Sequence, residues 1–200
     1  APIYKIRKNY RNRLLIRSSS NSYNQALMSS LIANLGSDVA EDWSTKIVSN
    51  LAREPKGNDR DQVKAIASGQ GDIAVVNSYY IGLLLSSEKE EELKAGYSVG
   101  VFFPNQAENQ RGAHINVSGI ALTKNAPNRE NAIKLISFLT SKSAQQTYVN
   151  NTYEYSVNSS VEPNEIVKNW GDFKKDKLDL NMLGVKRNEA IRIFDKTGWK

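Results

Sequence analysis

Apolar positions along the chain keep two different rhythms. In some places they form short runs without helical spacing. "RLLIRS" (residues 13–18) and "DIAVV" (72–76) predict buried strands, and "YSVGVFFP" (97–104) and "HINVSGIALTK" (114–124) predict further ones. Elsewhere they return every three or four positions, the spacing of one helix face. "YNQALMSSLIANLG" places Leu27, Leu31, Ile32 and Leu35 on one side and stops at Gly36. "SDVAEDWSTKIVSNLA" presents Val39, Trp43 and Ile47, with Val48 nearby. "RDQVKAIASG" predicts a helix ended by Gly69, and "SYYIGLLLSS" a helix that opens on two tyrosines. "NRENAIKLISFLTS" is amphipathic, with Ala132, Leu135, Ile136 and Leu139 on one face. A shorter helix follows in "KSAQQTYVNN", and "NEIVKNWG" and "NEAIRIFDKTGW" predict two more, joined by an irregular segment. "REPKGNDRDQ", "NAPNRE" and "VEPNE" read as loops. Strands alternating with helices predict an α/β fold, a mixed sheet flanked by helices.

Composition narrows the class. The chain has 200 residues, 40% hydrophobic and 24% charged, enough for one large domain or two small lobes. It has no Cys, which excludes disulfides and thiolate metal sites. No apolar run is long enough to span a bilayer, so no membrane insertion is expected. The chain opens on Ala with no signal segment behind it, which reads as a mature product or a processed piece. The net charge is +6 and "KIRKNYRNR" (5–13) is a basic start. That could meet an anionic partner, but basic residues without interleaved aromatics read as a solvated surface rather than a nucleic-acid site. Asn-x-Ser/Thr tripeptides at Asn116, Asn150 and Asn158 are short enough to arise by chance, and no glycan is read from them.

Familiar catalytic signals are missing. One histidine, His114, cannot build a His-based zinc cluster. There is no Gly-x-Ser-x-Gly elbow and no Gly-rich phosphate loop. The carboxylates Asp59 and Asp61 read as a helix cap, and Glu90, Glu91 and Glu92 as a solvated helix face.

The tyrosines are the exception. "GDIAVVNSYYIG" (71–82) sets Tyr79 and Tyr80 side by side where a strand should turn into a helix. A free phenol loses its proton only near pH 10, so a phenolate at neutral pH needs a strong local positive charge. A hard trivalent cation supplies that charge and prefers oxygen donors. Free N–H groups at a helix start favour negative charge as well. "SSSNSY" repeats the arrangement, with Tyr23 in the first turn of a capped helix. Two strand-to-helix junctions of one α/β sheet present their loops at the same edge, so Tyr23, Tyr79 and Tyr80 could converge on one ion. In the alternative, Tyr23 packs and only one of the pair is buried.

At this point several segments carry a resemblance. "RSSSNSYNQ", "AREPKGNDRDQVKAI", "GDIAVVNSYYIG", "GVFFPNQ", "HINVSGIALTKNAPNRENAIKLISFLTS" and "VKNWGDFKKD" occur in that order. Together they resemble the periplasmic ferric-ion-binding proteins of bacterial ABC importers, in the class II periplasmic-binding-protein-like fold. The likeness implies Fe(III) held by the phenolates of Tyr79 and Tyr80, with Tyr23 matching a third tyrosine found in one branch. It implies a shuttle rather than an enzyme, with an ABC permease and its ATPase as partners. It also implies a periplasmic location and a synergistic anion such as carbonate, phosphate or citrate. Asn21, Ser22, Asn77 and Ser78 become candidate donors that orient the phenolates. Arg60 could pair with a carboxylate or face the anion.

Two departures stand out. Members of that family carry about a further hundred residues ahead of this start, forming most of the first lobe. On this likeness the chain is the second lobe plus returning segments of the first. It divides into a tyrosine-bearing α/β lobe (13–104), a hinge and return strand (105–125), and C-terminal helical segments packing on both lobes (126–200). Its returning stretches "SGIAL" and "NAIKLISFL" should then expose apolar surface. Leu83 stands where some relatives carry a basic residue, which changes the charge balance of the site. His114 lies away from the family's ligand histidine and reads as a hydrogen-bonding group at the hinge. Two other readings remain: a protein of the same fold for a small organic anion such as a phosphonate, seated on the Ser-rich helix start, and a basic interaction module with no small ligand.

Overall fold

The computed structural model describes residues 13–200, and residues 5–12 of the basic start lie outside them. These residues form two compact units. One runs through Val76 and adds Lys94–Val99 and Lys177–Lys200; the other comprises Asn77–Leu93 and Gly100–Asp176.

The first unit is built around a short parallel pair. Strand β1 (Leu14–Leu15) pairs in parallel with β2 (Ile73–Ala74), Leu14 opposite Ile73, and Leu14 also bridges to Leu51. Helix α1 (Ser22–Leu35) follows β1. It starts because Asn21 accepts the Tyr23 N–H on its side chain, and it ends at Gly36, whose φ of 86° suits a residue without a β-carbon. Helices α2 (Ser37–Ser49) and α3 (Asp59–Ala67) come next, and the C-terminal α9 (Asn181–Val185) and α10 (Arg187–Thr197) return to pack on α1, with α10 also against α2.

Its core joins residues far apart in sequence. Ile16, Met28, Leu31, Ile32 and Ala40 meet Ala190, Ile193, Phe194 and Trp199. Trp199 stands edge-on to Phe194, with ring centroids 4.8 Å apart. Leu27, Trp43, Ile47 and Val48 pack around this centre as the helical spacing predicts. Leu35 and Val39 instead remain exposed, at the turn from α1 into α2.

The second unit carries α4 (Tyr79–Leu85), α6 (Arg129–Leu139), α7 (Lys142–Thr152) and α8 (Glu165–Lys168), while the boundary between units falls within α5 (Glu90–Tyr97). Ile81, Leu84, Val149, Val161 and Val167 are buried. Phe103 stacks on Phe173 at 4.1 Å, and Tyr155 meets Phe173 edge-on.

Two expected strands differ from the prediction. Residues 97–104 and 114–124 form no ladder among the described residues; only Ala113, just ahead of the second, bridges to Lys175. Some of their apolar residues stay open, with Phe102 74%, Val117 59% and Ile120 50% exposed, while Val101, Phe103, Ile115 and Leu122 are partly buried. Helix α6 likewise buries none of its residues, and Ile133, Leu135 and Phe138 are exposed. Of the face read from the sequence, Ala132, Ile136 and Leu139 are partly buried and Leu135 is exposed.

Candidate functional site

The segment leading to Tyr23 is set by side chains that reach back to it. Arg17 leaves β1 and donates from Nη1 to Asp59 Oδ2 at 2.6 Å, where the Asp59 side chain is only 2% exposed. Asn24 donates through Nδ2 to the carbonyls of Arg17 and Ser18, and Trp199 Nε1 donates to the same Arg17 carbonyl. Gln25 donates to the carbonyls of Ser19 and Ser20 while its Oε1 accepts from Arg187 Nε. Three polar side chains therefore hold four consecutive loop carbonyls and fix the path of this partly buried loop. Tyr23 emerges from this loop in the first turn of α1, partly buried, with its N–H on Asn21 Oδ1 at 3.0 Å. Ser22 beside it is exposed.

The two carboxylates of α3 have different tasks. Asp61 forms a reciprocal capping box with Asn58, as the sequence suggests, and Asp59 is the buried partner of Arg17. Arg60 lies between them in the first turn, partly buried.

Tyr79 and Tyr80 open α4 in the second unit. Their rings stack, with centroids 4.1 Å apart and an interplanar angle of 29°. Both are partly buried. Two contacts locate the helix that carries them. Gly82 lies flush on Tyr153, so closely that an added β-carbon would fall 2.4 Å from Tyr153 Cβ and Cγ. Upstream, Ser78 stands in helical conformation and caps nothing with its side chain. Asn77 takes the anchoring role instead: its carbonyl accepts the Tyr80 N–H, and its Oδ1 accepts from Asn116 Nδ2 at 2.8 Å.

Asn116 is held in turn by His114, whose Nε2 lies 3.2 Å from Asn116 Oδ1. Burial pushes the His114 imidazole below its ordinary value; Arg111 acts in the same direction, while the Asn116 bond and Asp176 oppose it. His114 is therefore a hydrogen-bonding residue, as its position in the sequence suggests. Asn116 has no local sequence signal beyond its tripeptide, and only the fold brings it to Asn77, 39 residues away.

The structure thus gathers Asn77, Ser78, Tyr79 and Tyr80 at one junction of the second unit. Asn21, Ser22 and Tyr23 stand at one junction of the first unit, whose α3 carries Arg60. Among the described residues no three His, Cys, Asp or Glu side chains gather into a group that could hold a metal ion. The phenols are among the oxygen groups that these junctions carry, the donor type a hard cation prefers.

Comparison with known proteins gives these junctions a context. Residues 15–175 match the family model described as bacterial extracellular solute-binding protein. The "Iron uptake protein A1" of Synechocystis is 46% identical over 191 residues, which cover 96% of this chain and 52% of that protein. A Trichodesmium structure described as IdiA or FutA "in complex with iron and citrate ligands" superposes with a TM-score of 0.92 at 43% identity, covering 97% of this chain and 61% of that one. A "Ferric binding protein from Campylobacter jejuni" gives a TM-score of 0.90 at 36% identity, with the same coverages. The chain spans about half the length of the curated relatives it matches.

Proposed function

The chain belongs to the bacterial extracellular solute-binding proteins, and from that premise we propose that it binds ferric iron through the phenolates of Tyr79 and Tyr80, with Tyr23 as a third ligand. Its fold is that of the class II ferric-ion-binding proteins. The observation that carries the reading is the stacked tyrosine pair, two adjacent phenols held together at a helix start by Asn77 and Gly82. The names of the similar proteins, one an iron uptake protein and one a complex with iron and citrate, point to the same cargo.

The chemistry is charge matching. Three phenolates balance a 3+ ion, and the ion in turn lowers the phenol pKa enough for all three to ionise at neutral pH. The chain binds and releases its cargo without changing it, and an ABC permease with its ATPase receives the iron on the outer side of the membrane. A ferric ion that takes six donors has three more to find. Carbonate, phosphate or citrate can supply them, as can the remaining half of a longer protein. That remaining half also offers an occupant for the open apolar surface of residues 117–138.

Titration with ferric citrate tests the reading. The parent should develop a visible phenolate-to-iron charge-transfer band. Tyr79→Phe and Tyr80→Phe should each weaken binding strongly with an unchanged circular dichroism spectrum, because only the ligand oxygen is lost. Tyr23→Phe should shift the band as well. Parent-like binding by both variants of the pair would refute phenolate ligation. An unshifted band in Tyr23→Phe would return Tyr23 to a packing role.

A further inference from the structure

We propose that Asn116 is a positioning residue for the tyrosine pair and that His114 is what orients it. Helix α4 is seven residues long, and Ser78 at its start makes no side-chain cap. One hold on its first turn comes from a distant segment. Asn116 Nδ2 donates to Asn77 Oδ1 at 2.8 Å, and the Asn77 carbonyl accepts the N–H of Tyr80. A force on Asn116 therefore reaches the tyrosine backbone through one residue.

The segment that delivers Asn116 is itself fixed. Ala113 donates its N–H to Lys174 O at 2.8 Å, and its carbonyl accepts the Asp176 N–H at 2.9 Å. Gly112 approaches so closely that a β-carbon there would lie 2.6 Å from Lys174 O. Asn116 thus projects from a stretch tied three residues away.

An amide side chain can sit either way round, and only one orientation offers its N–H to Asn77. His114 selects it. Nε2 carries a hydrogen both in the imidazolium and in one neutral tautomer, and in either form it donates to Asn116 Oδ1. Burial favours the neutral imidazole, and with Nε2 protonated that form still makes the bond. The relay is therefore His114 to Asn116 to Asn77 to the opening turn of α4. It sets the direction of two rings without touching them.

The consequence for iron rests on the phenolate reading above; the positioning itself does not, and the experiment separates the two. The probe is the 200-residue chain with isotope-labelled tyrosine, read by NMR without metal and then titrated with ferric citrate. Stacking at 4.1 Å gives Tyr79 and Tyr80 ring-current-shifted signals. Asn116→Leu keeps the shape and removes both hydrogen bonds, so it should move those signals and weaken ferric binding by about tenfold, the lower end for residues that orient metal ligands. His114→Gln places an amide N–H near the position of Nε2 and should leave both readouts like the parent. Asn116→Ser, too short to reach Asn77 and without an apolar group to bury, serves if the Leu variant does not fold. Moved ring signals support the positioning role, even where the parent itself develops no charge-transfer band. That combination would refute phenolate ligation alone. Unmoved ring signals in folded Asn116→Leu or Asn116→Ser would overturn the proposal, whatever the iron does. His114→Phe, which keeps a ring and removes the donor, should move the same signals, and parent-like ring signals in folded His114→Phe would remove His114 from the relay.

Discussion

Replacing Gly82 by alanine should destabilise the protein and displace the tyrosine pair together. The added β-carbon would lie 2.4 Å from Tyr153 Cβ and Cγ and 2.9 Å from its Cδ1, well inside the ~3.5–4.0 Å at which carbon atoms attract. These atoms are at the root of the side chain, so no swing of the ring clears them. Either α4 or the end of α7 must move. Overpacking of this kind costs about 1–3 kcal/mol, and alanine recovers roughly 1 kcal/mol over glycine inside a helix. With two overlaps this deep the upper end applies, leaving a net loss of about 2 kcal/mol, or roughly 4–8 °C in Tm for a chain of this size. Thermal unfolding followed by circular dichroism reads it. Gly184→Ala in α9 is the control: a β-carbon there meets nothing within 4 Å, so the variant should match or exceed the parent. Tyr153→Gly supplies the other arm. Tyr153 has a φ of 59°, which glycine adopts freely. In that background the overlaps with the Tyr153 side chain are gone and Gly82→Ala should become stabilising by roughly 1 kcal/mol, giving a coupling of about 3 kcal/mol between the two sites. A Gly82→Ala variant that melts with or above the parent would refute the flush packing of α4 on Tyr153.

Two further outcomes follow from groups already described. Arg17→Met should cost about 3 kcal/mol in urea unfolding, since it takes the guanidinium from a carboxylate that is 2% exposed, and Asp59→Asn should cost less because Arg17 is 21% exposed and keeps some water; equal losses below about 1 kcal/mol would show that the pair is not effectively buried. The lowered pKa of His114 predicts acid sensitivity. Its unfolded form takes up a proton first, so the stability tied to it is complete above the ordinary histidine value and is lost as pH falls from there toward the folded pKa. His114→Gln should flatten that limb of the stability-against-pH curve, and an unchanged limb would assign it to other groups.

How far the sequence could be read depended on distance along the chain. The stop at Gly36, the capping role of Asp61 and the helix start at Tyr79 are contained within a few residues, and each appears where the local pattern puts it. Tyr79 and Tyr80 are visible as a candidate because they are neighbours. Long-range side-chain pairs leave no such trace. Arg17 with Asp59 and Asn77 with Asn116 are joined only by the fold. Helix faces show the same limit. Val39 has the spacing of a core residue, yet α2 turns Ala40 and Ser44 inward because α10 approaches closely there, with Ser44 Oγ and Thr197 Oγ1 2.8 Å apart. The strand readings at 97–104 and 114–124 failed for a related reason: apolar alternation marks a segment able to join a sheet, and a ladder needs a second strand beside it.

The order in which the units are visited along the chain has a consequence for synthesis. The polypeptide leaves the first unit after Val76, revisits it at Lys94–Val99 and finishes it only with Lys177–Lys200. Met28 and Leu31 therefore emerge from the ribosome long before Phe194 and Trp199, the residues that close their core. At about 5–20 residues per second the wait is on the order of ten seconds or more. Through that interval α1 has no native partner from α10, and its apolar stripe is open to other nascent chains. The second unit, nearly continuous in sequence, can condense first and tether the waiting ends. Folding of the first unit is thereby postponed until Phe194 and Trp199 have emerged, and a ribosome that stalls before residue 190 releases a chain whose first core cannot form.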